Sequence, residues 1–260
     1  MRKQIALGGL ALGFAISAAV AAPQTPLKDP LQSGNWSYSQ EHVLDNPKNI
    51  RFDDRVIVKA PPSAEDSFNV PVLVDATALP NVKRIVLLVD YGPIPKILTY
   101  WPDQAEAKLS LRFKIDQATP VRAAVETHAG TWHVGSTYVD AAGGGCSAPA
   151  HAYASNDWEE KLGQVNGMVW PKSGRVRMVV DHPMDTGLAD GIPVFIIKRL
   201  QVDDDTGKKL ATIEMYEPVN EDPAFTLYFP KNQLKGSVRV HGRDNNGNEI
   251  DAVLRARLTQ

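Results

Sequence analysis

Short runs of β-branched and aromatic residues recur about every ten positions along this chain, and turn residues separate them. That rhythm suits a β-sandwich and leaves no room for the helical stretches of βαβ units. In the first part of the chain the runs fall at 56–58, 70–74, 85–89, 97–100, 109–115, 121–125 and 132–139. Pro61-Pro62, Leu79-Pro80-Asn81, Tyr91-Gly92-Pro93 and His128-Ala129-Gly130 punctuate them. Leu109, Leu111, Phe113 and Ile115 alternate with Ser110, Arg112 and Lys114, the period of a strand with one face in a core. Before these runs, residues 23–53 are polar and Pro-broken, with one short helix expected from Trp36 through Leu44.

The rhythm stops at Asp140. Gly143, Gly144 and Gly145 follow, then Cys146, Ser147, Ala148 and Pro149, and polar sequence runs on through Asp157. Three consecutive glycines weaken helix and strand alike, so this stretch reads as a boundary. Strands resume at 176–180, 194–202, 209–216, 224–229, 237–241 and 250–258. Thr206-Gly207 and the cluster Asn245-Asn246-Gly247-Asn248 mark turns between them. The fold class expected is all-β: two tandem sandwiches, 35–140 and 173–260, joined by a Gly-rich arm and linker over 141–172.

The first 21 residues carry an export pattern. Arg2 and Lys3 precede an almost uncharged apolar run, and Ala19-Val20-Ala21 gives a small-residue cleavage site. The run is short for a membrane anchor, so release into an oxidising compartment such as the periplasm is expected. Cleavage would remove two positive charges and take the net charge from −2 to −4. Mild acidity argues against nucleic-acid binding, which needs a concentrated basic face.

The cysteine count is one. A single thiol forms no intrachain disulfide, which leaves a bridge between molecules, a buried inert group or a reactive one. The thiolate is the reactive species, and no charged residue lies nearer in sequence than Asp140, so the sequence offers no local activation. The surrounding glycines favour an exposed, flexible position over a core one. An exposed odd cysteine also permits a Cys146-linked dimer.

Other residues invite chemical readings. His182 and Met184 are soft-metal donor types, but Pro183 between them at a strand end favours a structural turn or a contact with the neighbouring domain. His128, His133 and His151 flank the arm without compact ligand spacing to Cys146. Asp203-Asp204-Asp205-Thr206-Gly207 lacks the spaced ligands of a calcium loop and reads as a solvated hairpin turn. No metal or cofactor is expected.

Taken together, these residues resemble the sulfur-oxidation carrier proteins SoxY and SoxZ, fused in one chain. The SoxY-like marks are Val56-Ile-Val-Lys-Ala-Pro61, Ala64-Glu65-Asp66 leading to Asn69-Val-Pro-Val72, the 85–90 strand, and the Gly-Gly-Cys arm. The SoxZ-like marks are His182-Pro-Met-Asp-Thr-Gly-Leu188, Glu221-Asp-Pro-Ala-Phe225 and Arg243-Asp-Asn-Asn-Gly247. The resemblance implies immunoglobulin-like sandwiches and no catalytic centre. It implies a covalent sulfur-containing intermediate on Cys146, an arm made flexible by Gly143, Gly144 and Gly145, and separate oxidoreductase partners. Fused versions resemble carriers associated with quinoprotein (PQQ-dependent) dehydrogenase systems, so an assembly module without covalent cargo is the alternative.

One departure matters. The family arm ends Gly-Gly-Cys-Gly-Gly at a free C-terminus, whereas here Ser147-Ala148-Pro149 follows and the chain continues. A tethered loop must enter a partner as a hairpin. From Asp140 its reach is at most about 20 Å, at about 3.3–3.6 Å per residue.

Overall fold

The computed structural model describes residues 28–256, so the expected export segment lies outside the described residues. The helix α1 (Trp36–His42) comes first, followed by β1 (Ile50–Phe52), β2 (Ile57–Lys59), β3 (Val70–Asp75) and β4 (Val82–Val89). Next come β5 (Lys96–Trp101), β6 (Lys108–Phe113), β7 (Thr119–Thr127) and β8 (Trp132–Val139). After the arm, a short helix α2 (Trp158–Lys161) leads to β9 (Val165–Trp170), β10 (Arg175–Val180), β11 (Ile197–Asp204) and β12 (Lys209–Met215). The chain closes with β13 (Ala224–Tyr228), β14 (Val238–Asp244) and β15 (Glu249–Leu254).

The strands make two layers in the manner of immunoglobulin-like sandwiches, and both layers run through the junction between the halves. One sheet has nine strands in the order β1-β8-β7-β4-β5-β12-β11-β14-β15. The other has six, ordered β2-β3-β6-β13-β10-β9. At the seam β5 pairs antiparallel with β12, Tyr100 opposite Ile213, and β6 pairs with β13, Leu109 opposite Leu227. Each half thus shields one edge in each sheet of the other, which removes four unpaired edges that would otherwise invite aggregation.

A single apolar core fills the space between the sheets. Leu109, Leu111 and Phe113 of β6 meet Val176, Met178, Phe225 and Leu227 of the second half in one continuous cluster. The alternation in β6 accounts for its three members, since every second side chain points to the same face. Seams built of buried apolar area on this scale are stable, because each fully buried Leu or Phe contributes about 1.5–3 kcal/mol.

The face of the nine-stranded sheet turned away from this core is covered in the first half. Trp36, Leu44 and Phe52 from the N-terminal segment pack on Val86, Leu88, Ala124, Trp132 and Val134. Consequently β7 is buried along its whole length. Two elements depart from the sequence reading. β1 pairs parallel with β8 in a stretch read as polar coil. Residues placed in the linker form β9, which lies antiparallel to β10, so the second sandwich starts at Val165.

Candidate functional site

Cys146 sits in a tight turn formed by residues 145–147, and it is 3% exposed. The expectation of an exposed thiol is therefore corrected: the arm is docked along the seam. It leaves β8 at Asp140, whose N–H donates to the Pro62 carbonyl at 2.9 Å and whose carbonyl accepts from Ala64 at 2.8 Å. Gly145 N–H then donates to the Ile115 carbonyl at 3.1 Å, just beyond the end of β6.

The glycines explain how backbone comes to lie on backbone. A Cβ on Gly145 would stand 2.1 Å from the Ser67 carbonyl oxygen and 2.6 Å from that of Ile115. Gly143 has φ of +99°, and a Cβ there would meet the Asp116 oxygen at 2.5 Å. Gly144 faces open space. Gly143 and Gly145 thus serve close approach first, a use of glycine that sequence alone does not distinguish from flexibility.

The second half supplies the other side of the dock. Thr186 Oγ1 donates to the Cys146 carbonyl at 2.5 Å. Ala150 N–H donates to Asp185 Oδ1 at 3.0 Å, and the Tyr153 hydroxyl donates to Asp185 Oδ2. His151 and Ala152 donate their N–H groups to the two oxygens of Glu221, at 2.8 and 2.5 Å. Asp185 and Thr186 belong to the 182–188 motif and Glu221 opens the 221–225 motif. The 182–188 motif, expected to shape a turn or a domain contact, therefore holds the arm together with the 221–225 motif.

Lys114 lies beneath. It is 4% exposed and donates from Nζ to the Met184 carbonyl at 2.5 Å, across the seam. Burial pulls its pKa below the usual lysine value, opposed by the charges of Asp185, Cys146 and Glu221. Burial likewise pushes the Cys146 thiol from near 9 up to about 11, helped by Asp116 and opposed by Lys114. At neutral pH the docked thiol is protonated and a poor nucleophile.

His182 is buried and accepts a hydrogen bond at Nδ1 from Met184 N–H at 3.0 Å. Its Nε2 lies 3.5 Å from Asp244 Oδ2. Burial lowers its pKa to about 4, so it is neutral. Met184 Sδ accepts from Ile197 N–H at 3.3 Å. His133 is paired with Asp53 at 2.7 Å, and His151 packs edge-on against Phe68. His128 lies just past the end of β7, where its backbone N–H donates to the Asn81 carbonyl beside β4 at 2.9 Å. Among the described residues no group of three or more His, Cys, Asp or Glu side chains is arranged to hold a metal ion.

Sequence reasoning missed Lys114, Ser67 and Asp116 as neighbours of Cys146. Lys114 occupies a position that alternates with core residues and so reads as outward-facing. Only the seam buries it.

A docked, Gly-rich cysteine arm at the end of a sandwich, held by a second sandwich, is the setting in which the comparisons with known proteins fall. The family model of the sulfur oxidation protein SoxY matches residues 40–146, ending on Cys146, and that of the sulphur oxidation protein SoxZ matches residues 172–254. The chain is a SoxY–SoxZ fusion. Its SoxY half contributes β1–β8 and the arm, and its SoxZ half contributes the partner edge and the Asp185–Thr186–Glu221 clamp. Among solved structures, the sulfur carrier protein SoxY from Chlorobium limicola f thiosulfatophilum is 19% identical, with a TM-score of 0.37. That match covers 42% of this chain and 98% of the other. No curated protein matches this chain. Among the described residues no helix is long and apolar enough to cross a membrane.

Proposed function

We propose that this SoxY–SoxZ fusion is an exported, non-catalytic carrier. It holds a sulfur-containing intermediate covalently on Cys146 and presents it to separate periplasmic oxidoreductases. The observation that carries the reading is the position of the only cysteine, at the point where the SoxY match ends and on a segment fastened mainly by hydrogen bonds. Loading joins Cys146 Sγ to a thiol sulfur of the cargo with loss of two protons and two electrons. The electrons pass to the loading oxidoreductase. Release is thiol–disulfide exchange: an incoming thiolate bonds to the cargo sulfur, the mixed disulfide breaks, and Cys146 leaves as a thiolate that takes up a proton.

Burial makes this a two-state device. Docked, the thiol is protonated and has no room for a substituent. Released, the loop from Asp140 reaches about 20 Å as a hairpin. Loading therefore requires the arm to leave Thr186, Asp185 and Glu221.

The experiment is intact-mass analysis of protein from its native compartment, with and without reductant. The reading expects a thiol-reversible mass increment on Cys146. Its absence, together with an unaffected host pathway in Cys146→Ser, would sink the carrier. The burial of Cys146 favours one rival specifically, an assembly module for a quinoprotein (PQQ) dehydrogenase system in which the thiol is incidental. Under that rival Cys146→Ser supports full pathway activity.

A further inference from the structure

The face of the six-stranded sheet turned away from the core carries a shallow groove of about 630 Å³, lined across all six strands and by residues of both halves. Lys59, Arg112, Arg175 and Arg177 line it, and no carboxylate does. All four are exposed, and among the described residues none forms an ion pair. This concentration stands out in a chain whose net charge is −2. Elsewhere on the same sheet the opposite solution is used: Lys108 is paired with Asp75 at 2.7 Å.

Two of the cations are already positioned. The Arg175 guanidinium lies 4.3 Å from the Trp170 ring centroid, and Arg112 Nη1 donates to the Asn69 carbonyl at 3.2 Å. Holding a long side chain in place before binding reduces the entropy lost on association. We infer that this face is a docking surface for a carboxylate-rich patch on a partner protein.

Spacing separates that occupant from a small anion. The pairings Arg177–Thr226, Thr226–Ser110, Ser110–Leu73 and Leu73–Lys59 place Arg177 and Lys59 on one row, four strand spacings apart. At about 4.8 Å per spacing the row spans ~19 Å. Arg175 and Arg177 add a second pair about 7 Å apart along β10. One small oxyanion touches few of these groups at once, whereas a row of carboxylates on a protein surface meets them all.

The groove also leads to the arm. Arg112 and Ala224 line both it and a neighbouring cavity of about 350 Å³, whose wall includes His151 and Glu221. A partner seated on the basic face lies beside the carboxylate that clamps the arm, and its own carboxylates oppose the Glu221 charge there. The docking face requires the seam, since Lys59 and Arg112 come from the SoxY half and Arg175 and Arg177 from the SoxZ half.

The test uses the full exported chain and a fluorescein-labelled octaglutamate peptide, followed by anisotropy at low ionic strength. Binding is expected to weaken as salt rises and to fall by about tenfold or more in Arg112→Gln/Arg175→Gln/Arg177→Gln, with an unchanged melting midpoint. Arg239→Gln, which removes a cation already paired with Asp251, should leave binding as in the parent. Lys59→Gln/Arg177→Gln provides a second loss variant that spares the stacked and anchored arginines. Equal binding by the parent and both loss variants overturns the proposal. So does submillimolar 1:1 binding of sulfate that displaces the peptide, which would mark a small-anion site. A preference for phosphatidylglycerol vesicles over the peptide overturns it in favour of a membrane surface. Cys146→Ser should bind the peptide normally, so failure of the carrier reading and failure of the docking face are separate results.

Discussion

Two segments of this molecule act as covers over a buried cation, and they are built differently. Residues 29–49 lie over the outer face of the nine-stranded sheet and lead into its edge strand β1, covering Arg122, which is 0% exposed. Asp90 accepts from Arg122 Nε and Nη2 at 2.8 and 2.7 Å, and Asp29 accepts from its Nη1 and Nη2 at 3.1 and 2.9 Å. The guanidinium is also 4.6 Å from the Trp36 ring centroid and 5.3 Å from that of Phe52. The arm covers Lys114 with far less. Its buried apolar residues are Cys146 and Ala150, its anchors are hydrogen bonds, and Lys114 is held by one carbonyl. A cover made of aromatic packing and a double ion pair stays. A cover made of a few hydrogen bonds, each worth about 0.5–1.5 kcal/mol net, can leave without unfolding the sandwich.

The largest expected effect lies on the permanent cover. Arg122→Met strands the Asp90 carboxylate in a fully buried site and should cost about 3–5 kcal/mol in urea denaturation. A loss under about 1 kcal/mol would show that the N-terminal segment is no more essential than the arm, and the contrast would collapse.

Cys146 reports on the cover proposed to be releasable. With its pKa near 11 in the dock against an ordinary value near 9, its thiolate fraction at pH 8 is about 100-fold lower than that of a free thiol. Iodoacetamide should therefore alkylate the parent about 100-fold more slowly than Gly145→Ala, in which the new Cβ collides with Ser67 and forces the arm out. The sign of the pH dependence follows. Because docking raises the thiol pKa, its contribution to docking is complete below about pH 9 and lost as pH rises through about 11. That contribution amounts to about 3 kcal/mol at most, from two units at 1.36 kcal/mol each. Equal rates for parent and Gly145→Ala at pH 8 would mean that the arm is already free.

Thr186→Val should have a smaller effect. It removes the one side-chain hydrogen bond to the Cys146 carbonyl, and about 1.4 kcal/mol corresponds to a roughly tenfold faster alkylation. The melting midpoint should barely move, because the sandwich core is untouched. A large drop in stability with no gain in reactivity would make Thr186 a residue of the fold and not of the clamp.

The seam is also where the sequence was least legible. The alternation of Leu109, Leu111 and Phe113 identified β6 and its core face, and the 245–248 cluster marked the β14–β15 turn, because both signals are local. That β6 pairs with β13 across more than a hundred residues leaves no such mark, since edge pairing depends on matched edges and not on composition. β9 was hidden for a related reason: Asn166 and Gly167 interrupt its pattern, and its pairing with β10 overrides weak propensity. The arm was found by its glycines and its cysteine but read as loose, because a glycine needed for close approach and one needed for flexibility look the same.

Lys114 gives the finest test of the contrast between the covers. If the arm site is a dock whose electrostatics are set by one desolvated cation, removing that cation should change the thiol and leave the sandwich intact. The Lys114 charge opposes the upward shift of Cys146, so Lys114→Met should raise the thiol pKa further and slow alkylation at pH 8. The change should be smaller than that of Thr186→Val and opposite in sign. Stability should hold or rise, since a buried cation without a carboxylate partner is replaced by an apolar chain of similar length. Faster alkylation would mean that the bond from Lys114 to the Met184 carbonyl matters chiefly by bracing the 182–188 loop, and that the clamp depends on geometry more than on charge.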